Sequence, residues 1–365
     1  MGAPWDSPAP EAGALRRPNA AGMGRAELRS LVQSLDEPAW RADQLFAGLY
    51  RQRWTRWEDF TPLSKSLRQR LGAGVDLQWP TLFHSESSAD TSTKHGFELA
   101  DGRQVEGVFM PYEDRTTLCL SSQVGCAMGC TFCATGQMGI IRNLHSAEIV
   151  GQVMAMVLHH GPPIEKPLNL VFMGMGEPLH NLDHVMAAFE VLTDAEGLAI
   201  PPRRITLSTS GLGSGIERLG AFAKRPRLAL SLNGTTDAQR SRIMPVNRVW
   251  NLEALAEGLS RFPLQSGERI TLEYVLLKGL TDSPEDGRRL IAFARRFPSK
   301  VNLIPFNAHE GSGFEAPEES RIGALCRQLA EAGLTVSVRR SRGQDVAGAC
   351  GQLVREGQAR SPKPR

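Results

Sequence analysis

The sequence is poor in the features that assign a protein by composition alone. Six cysteines in 365 residues are too few and too unevenly placed for the disulfide framework of a secreted domain. No apolar run approaches the roughly eighteen residues of a membrane-spanning helix, so no membrane role is expected. The formal net charge is only +3, which rules out an argument for nucleic-acid binding from overall charge. Residues 1–21, rich in Pro, Ala and Gly, have neither the apolar core of a signal peptide nor a myristoylation pattern, and read as a disordered tail. What remains is 41% hydrophobic and 22% charged, ordinary for a globular protein of the reducing cytoplasm. The length suits one large α/β domain plus a small one. No oligomer signal is visible, and a monomer is expected.

Against that background one stretch stands out: Cys126-Ala127-Met128-Gly129-Cys130-Thr131-Phe132-Cys133. Clustered thiolates suit a soft metal, either zinc or an iron–sulfur cluster. Structural zinc wants four protein ligands, and the nearest candidate for a fourth is His145, twelve residues on. Electron-carrier clusters also take four cysteines. Three cysteines therefore suggest an iron–sulfur cluster with one iron left open to a non-protein ligand.

Around this run the chain reads as α/β. Residues 22–75 read as a small helical accessory domain, with helices over 27–35, 39–50 and 64–71 punctuated by Pro38 and Pro62. Within it, residues 51–70 combine six Arg and Lys with Trp54, Trp57 and Phe60, which suits either RNA contacts or a solvated face over a Trp-based core. Residues 76–115 read as linking strands with a hairpin at Asp101-Gly102, and Glu106 falls in the second run. From 116 strand and helix alternate six times, with strands at 116–123, 168–173, 204–210, 228–233, 269–277 and 300–307 and a last one at 335–342. The helices fall at 145–160, 181–195, 214–223, 250–262, 284–297 and 318–332. Such alternation implies right-handed crossovers and a parallel sheet, and six units make a partial (β/α)6 barrel over 116–343. Residues 344–365 form a Gly-rich loop with Cys350 and then a basic tail ending Lys363-Pro364-Arg365.

Chemistry in parallel α/β folds gathers at the carboxyl ends of strands, and the unusual residues lie there in succession. The cysteine run follows the first strand, Gly174-Met175-Gly176-Glu177-Pro178 the second, and Ser208 to Gly211 the third. Ser231-Leu232-Asn233 ends the fourth and Asn307 the sixth. Period-2 alternation places Cys119 with Thr117 and Ser121 on the face opposite Leu118 and Leu120, toward the barrel lumen. Cys350 sits on a glycine-flanked loop, whereas Cys326 fits an apolar helix face with Ile322, Leu325 and Leu329 and reads as structural.

The C-x3-C-x2-C spacing resembles that of the radical S-adenosylmethionine superfamily. The resemblance narrows with Thr117 to Cys126, Arg142-Asn143-Leu144, Gly174 to Leu179, Leu207 to Gly211, Ile304 to Asn307, and Arg342-Gly343 through Cys350 to Leu353. Together these resemble the RlmN family of RNA methyltransferases over about 22–355; Ala308 after Asn307, where related sequences often have proline, is one departure. The resemblance implies methylation of adenine C2 in 23S rRNA, and in tRNA next to the anticodon. It implies a [4Fe–4S] cluster on Cys126, Cys130 and Cys133 and two S-adenosylmethionine molecules per turnover. Contacts to the latter would come from Gly176, Glu177, Ser208, Ser231, Leu232, Asn233 and Asn307. Cys350 would carry the methyl group, Glu106 would accept a proton, and Cys119 would close a transient disulfide with Cys350. An electron donor and a disulfide reductant would be external partners. Two other readings stand beside this one. One is a related Cfr-type enzyme that methylates C8 of the same adenine; the other is a zinc-stabilised RNA-binding protein without catalysis.

Overall fold

The computed structural model describes residues 17–161, 166–309 and 311–353. The chain opens with three helices, α1 (Arg25–Ser34), α2 (Arg41–Phe46) and α3 (Lys65–Gly74), and a wide helical turn over Ala47–Arg51 extends α2. Ser64 caps α3 by accepting the Leu67 N–H at 3.1 Å. Residues 17–21, assigned by composition to the tail, belong to the folded body: Ala20 and Ala21 are fully buried and Asn19 bridges to Asp76. Small residues flanked by apolar helices pack closely, and that outweighs a Pro/Ala/Gly-rich composition. The rest of the expected N-terminal tail, and the basic C-terminal tail, lie outside the described residues.

Next come β1 (Thr81–Ser87), β2 (Thr93–Glu98) and β3 (Gln104–Pro111), an antiparallel meander turned at Asp101-Gly102 as expected. β3 also pairs antiparallel with β4 (Thr116–Cys119). The expected strand over 116–123 is interrupted after Cys119. Gln123–Gly125 forms a separate strand, β5, paired antiparallel with β6 (Ile140–Asn143). Between β5 and β6 lie the cysteine run and a short helix, α4 (Ala134–Met138).

The six-fold alternation is present. It runs α5 (Ser146–His159), β7 (Leu168–Phe172), α6 (Leu182–Thr193), β8 (Ile205–Thr209), α7 (Gly213–Gly220) and β9 (Arg227–Ser231). It continues α8 (Asp237–Ile243), α9 (Leu252–Ser260), β10 (Ile270–Leu276), α10 (Pro284–Ala294), β11 (Ser299–Pro305), α11 (Glu319–Glu331) and β12 (Val336–Val338). α8 is an extra helix that the sequence reading passed over. Its Thr236/Gln239 capping box was present in the sequence but lay outside any apolar periodicity. Strands β4, β7, β8, β9, β10, β11 and β12 are parallel neighbours in that order, and β1 to β3 extend the same sheet beyond β4. Leu170, Leu207, Leu228, Leu230, Leu272 and Leu303 are buried in the parallel strands, while polar Ser208, Ser231 and Glu273 stand next to them in sequence on the alternate face. The result is the expected partial (β/α)6 barrel.

Candidate active site

The carboxyl ends of the parallel strands surround a cavity of about 930 Å³, its open mouth included. Cys126, Cys130 and Cys133 form one wall, and Gly176, Glu177, Ser208, Ser231, Asn233 and Asn307 line the others. A second, smaller cavity lies alongside, lined by Val108, Tyr112, Cys119, Met173, Arg339 and Cys350. Met173, Arg339 and Cys350 border both, so Cys350 stands at the junction between the three-cysteine wall and Cys119.

Glycines shape the cysteine loop and the segment facing it. Gly125, at φ +77°, lies so close to Gly139 that a Cβ would fall 2.0 Å from its carbonyl oxygen. Gly176 has φ +102°, and a Cβ there would meet Gln123 at 2.6 Å. No other residue fits either position without moving the backbone. Gln123 fixes the second loop by accepting the Glu177 N–H at 2.9 Å and donating to Asn143 at 2.9 Å.

The Glu177 carboxylate is occupied within its own loops. One oxygen accepts the Leu179 N–H at 3.1 Å, and the other accepts the Ser210 N–H and hydroxyl, each at 2.7 Å. Burial nonetheless raises its pKa, against the pull of those hydrogen bonds. The carboxylate therefore braces two strand-end loops, and backbone is what this segment offers to the cavity. Asn233 is similar: at φ +52° it uses its amide oxygen to accept the Val275 N–H at 3.0 Å. The Ser208 and Ser231 hydroxyls lie 3.4 Å apart. Leu232 is buried and absent from the cavity walls; its carbonyl accepts from Arg240 at 3.0 Å. Leu232 is the first residue beyond β9, and its side chain joins the hydrophobic core.

Asn307 grips the Cys350 loop. Its amide donates to Ser341 at 2.9 Å and to the Cys350 carbonyl at 3.1 Å, and accepts from Gln344 at 2.9 Å. Gln352 donates to the Ala308 carbonyl at 2.8 Å, and the Ala134 N–H donates to the Gly351 carbonyl at 2.8 Å. The loop is thus docked between β11 and the cysteine run.

Glu106 lies one strand from Cys119 and is buried, with Lys94 Nζ 3.9 Å from its carboxylate. The Ser121 hydroxyl donates to the Glu106 carbonyl at 2.6 Å and accepts the Met175 N–H at 2.8 Å. Arg142 joins the hairpin turn to α5 by pairing with Asp101 and Glu148, each at 2.8 Å.

Arg339 and Arg240 escaped the sequence reading. Arg339 lies 3.7 Å from Glu273 and donates to Met173 Sδ at 3.1 Å. Its pKa is raised, first by the charge of Cys350, with burial opposing. Fully buried Arg240 donates to Leu232 and Asn247 and faces the Cys130 side, and burial lowers its pKa to about 10. No local motif marks either residue. Each lies in a polar stretch beside further arginines, Arg242 near Arg240 and both Arg340 and Arg342 near Arg339, so nothing local sets it apart.

The donor set fits an iron–sulfur cluster. Burial, with mutual repulsion, raises the pKa of Cys126 and Cys130, and burial raises that of Cys133, so these thiols ionise only with a cation to take up the charge. Three sulfurs around one tetrahedral zinc would lie within about 4 Å of one another. Among the described residues, the one trio of ligand atoms within 4.8 Å of one another is His95, His159 and His160, so the cysteines are spread wider than a single ion. His145 is absent from the cavity walls and stands against His184, with ring centroids 4.8 Å apart. The zinc reading with His145 as fourth ligand does not hold.

A partial barrel with three cysteines after its first strand defines a radical S-adenosylmethionine enzyme. The radical SAM superfamily model matches residues 120–291, and the N-terminal domain model of ribosomal RNA large subunit methyltransferases matches 18–75. A radical SAM methyltransferase from Sphaerobacter thermophilus superposes with a TM-score of 0.88 at 38% identity, over 92% of this chain and 99% of that one. Dual-specificity RNA methyltransferase RlmN 2 of Myxococcus xanthus is 45% identical over 91% of this chain and 89% of its own. RlmN of Geotalea uraniireducens is 46% identical over 90% and 94%. The chain belongs to the RlmN family: it is a radical SAM RNA methyltransferase that uses a [4Fe–4S] cluster and S-adenosylmethionine. No helix among the described residues is long and apolar enough to cross a membrane.

Proposed function

We propose that this enzyme methylates C2 of an adenine in 23S rRNA and of the adenine next to the anticodon in tRNA, with Cys350 as methyl carrier. The observation that carries the reading is the position of Cys350 at the junction of two cavities, one walled by Cys126, Cys130 and Cys133 and the other holding Cys119. Cys126, Cys130 and Cys133 would hold the cluster. When bound, the cluster and two molecules of S-adenosylmethionine supply an electrophilic methyl group and a carbon radical able to abstract hydrogen.

Direct transfer of an electrophilic methyl to adenine C2 fails because that carbon is electron-poor, so the protein must relay it. The Cys350 sulfur accepts the methyl group and holds it where loss of one hydrogen atom turns it into the carbon that bonds C2. Arg339, beside both thiols, stabilises negative charge on sulfur. Glu106 takes the C2 proton while the RNA adduct gives up its odd electron to a one-electron acceptor, so that the ring regains aromaticity, and Lys94 Nζ lies 3.9 Å from that buried carboxylate. Cys119 then attacks the Cys350 sulfur: the S–S bond forms as the S–C bond breaks, and the released carbon takes up a proton to become methyl. A two-electron reductant reopens the disulfide. Both cysteines are free thiols in this structure, which suits the start of the cycle.

The backbone of Gly176, Glu177 and Asn233 and the Ser208 and Ser231 hydroxyls are suited to the amino-acid and ribose parts of S-adenosylmethionine. Asn307 serves by fixing the Cys350 loop. In the helical domain Trp57 and Phe60 are buried, Trp54 packs on Phe60, and Trp57 donates to the Val75 carbonyl at 3.0 Å. These aromatics build a core, so RNA contacts from 51–70 would come from its Arg and Lys side chains.

The test is anaerobic incubation of cluster-loaded enzyme with protein-free rRNA or tRNA, S-adenosylmethionine and a reductant, followed by nucleoside mass spectrometry. 2-Methyladenosine that disappears with Cys350→Ala is expected. 8-Methyladenosine would move the assignment to Cfr-type chemistry, and unmodified RNA would refute it.

A further inference from the structure

On the sheet face opposite the cysteine cavities, three imidazoles converge. His95, on β2, is buried, while His159 and His160 close the carboxyl end of α5 and are exposed. One ring nitrogen from each lies within 4.8 Å of the others. His95 Nε2 is 2.9 Å from His160 Nε2, and His95 Nδ1 is 2.9 Å from the Ser85 hydroxyl on β1. The Phe109 ring stacks on His160 at 3.6 Å and 11°, fixing its plane. We propose that His95, His159 and His160 bind a divalent transition-metal ion of the zinc class, which clamps the β1–β3 meander to α5.

Four features support the site. With Nδ1 of His95 bonded to Ser85, its Nε2 is the atom left to face the other rings, which is how supporting groups orient metal-bound histidines. Tetrahedral coordination at about 2.0 Å places ligand nitrogens about 3.3 Å apart, close to the spacing of His95 and His160. The trio contains no carboxylate, and imidazole donors select zinc, nickel or copper over magnesium and calcium. His95 is buried and the Phe109 ring stacks on His160, so two of the three imidazoles are held in place before any ion arrives.

The site is separate from the methylation chemistry. His95 pairs with Gly107, and its neighbour Lys94 points through the sheet to Glu106 on the other face. A metal here would therefore hold the meander carrying Glu106 without touching the reacting atoms, and the proposal does not depend on the RNA substrate.

Full-length protein with its iron–sulfur cluster loaded is stripped of loose metal, equilibrated with zinc and freed of excess. Iron and zinc per chain and X-ray absorption at the zinc edge are then measured. One zinc per chain beside unchanged iron is expected, with a nitrogen/oxygen shell at about 2.0 Å and no sulfur shell near 2.3 Å. The exposed-site variants His159→Ala and His160→Asn should each weaken zinc binding at least about tenfold while keeping iron, since even supporting groups act on that scale. Absence of zinc uptake, a sulfur shell, or equal affinity in wild type and both variants would overturn the proposal, leaving a histidine hydrogen-bond cluster. The wild-type absorption spectrum decides the matter even if a variant misfolds.

Discussion

At the scale of single residues, the two thiols of the relay stand in different surroundings. Cys119 is buried, and burial with the nearby charge of Cys350 pushes its pKa up to about 12. It is therefore a protonated thiol at neutral pH, and in the proposed cycle it has to lose its proton before it attacks the Cys350 sulfur. Cys119→Ala should leave RNA covalently attached to Cys350, seen as a band on denaturing gels that ribonuclease removes. Methylated product without such a band would exclude the disulfide step. Arg339 is the cation bordering both cavities. Arg339→Met should slow single-turnover methylation of Cys350, read by intact-protein mass spectrometry, by roughly tenfold, the effect of about 1.4 kcal/mol of lost charge stabilisation. Arg339→Lys should retain part of the rate, and an unchanged rate in Arg339→Met would remove the residue from the mechanism.

At the scale of elements, the Cys350 loop is latched to the β1–β2 turn by two aspartates. Asp90 accepts from Ser92 and from the Gly343 N–H at 2.9 Å, while Asp345 accepts from Ser88 and from the Ala89 N–H at 2.9 Å. Burial works against ionisation of Asp90, but the hydrogen bonds prevail and hold it near 2. The hydrogen bond from Ser88, then that from Ala89, lowers Asp345 as well. Carboxyls depressed in the folded state contribute stability above the ordinary aspartate pKa of about 3.9, and lose it as pH falls toward the folded value. Amide exchange across 342–353, corrected for its intrinsic pH dependence, should therefore quicken below about pH 4. Asp90→Asn with Asp345→Asn should quicken it several-fold at neutral pH. Exchange that is indifferent to both changes would mean that Asn307 and Gln352 hold the loop unaided.

At the scale of the whole molecule, the helical domain and the barrel share one continuous core. Gly22 packs so tightly on Ala147 of α5 that no Cβ fits, and Gly197, after α6, packs against Phe46 and Tyr50. Arg25 joins α1 to the end of α6 through Asp194 at 2.7 Å. Calorimetry of cluster-loaded enzyme should show one transition rather than a separate early melt of 17–75. Arg25→Ala should lower the Tm by roughly 2 °C or less, because the pair is about one-quarter exposed and worth about 1 kcal/mol. Two resolved transitions would show that the domains melt independently.

The sequence by itself determined the alternation of strand and helix and the family, and it singled out by type and spacing the residues proposed for the chemistry. Cysteines three and two apart, glycines at strand ends and a thiol on a glycine-flanked loop are local facts, set by covalent reach and backbone freedom. It did not determine which of those residues face the cavity through a side chain. Glu177, Asn233 and Asn307 spend theirs on the chain's own loops, and Leu232 points into the core, because such pairings join segments far apart in sequence. Arg339 beside two thiols, Arg240 behind the cysteine loop, Lys94 against Glu106 and the three histidines between β2 and α5 arise the same way. Tertiary structure alone decides them, since the strength of a charge or a ligand depends on burial and neighbours that packing supplies.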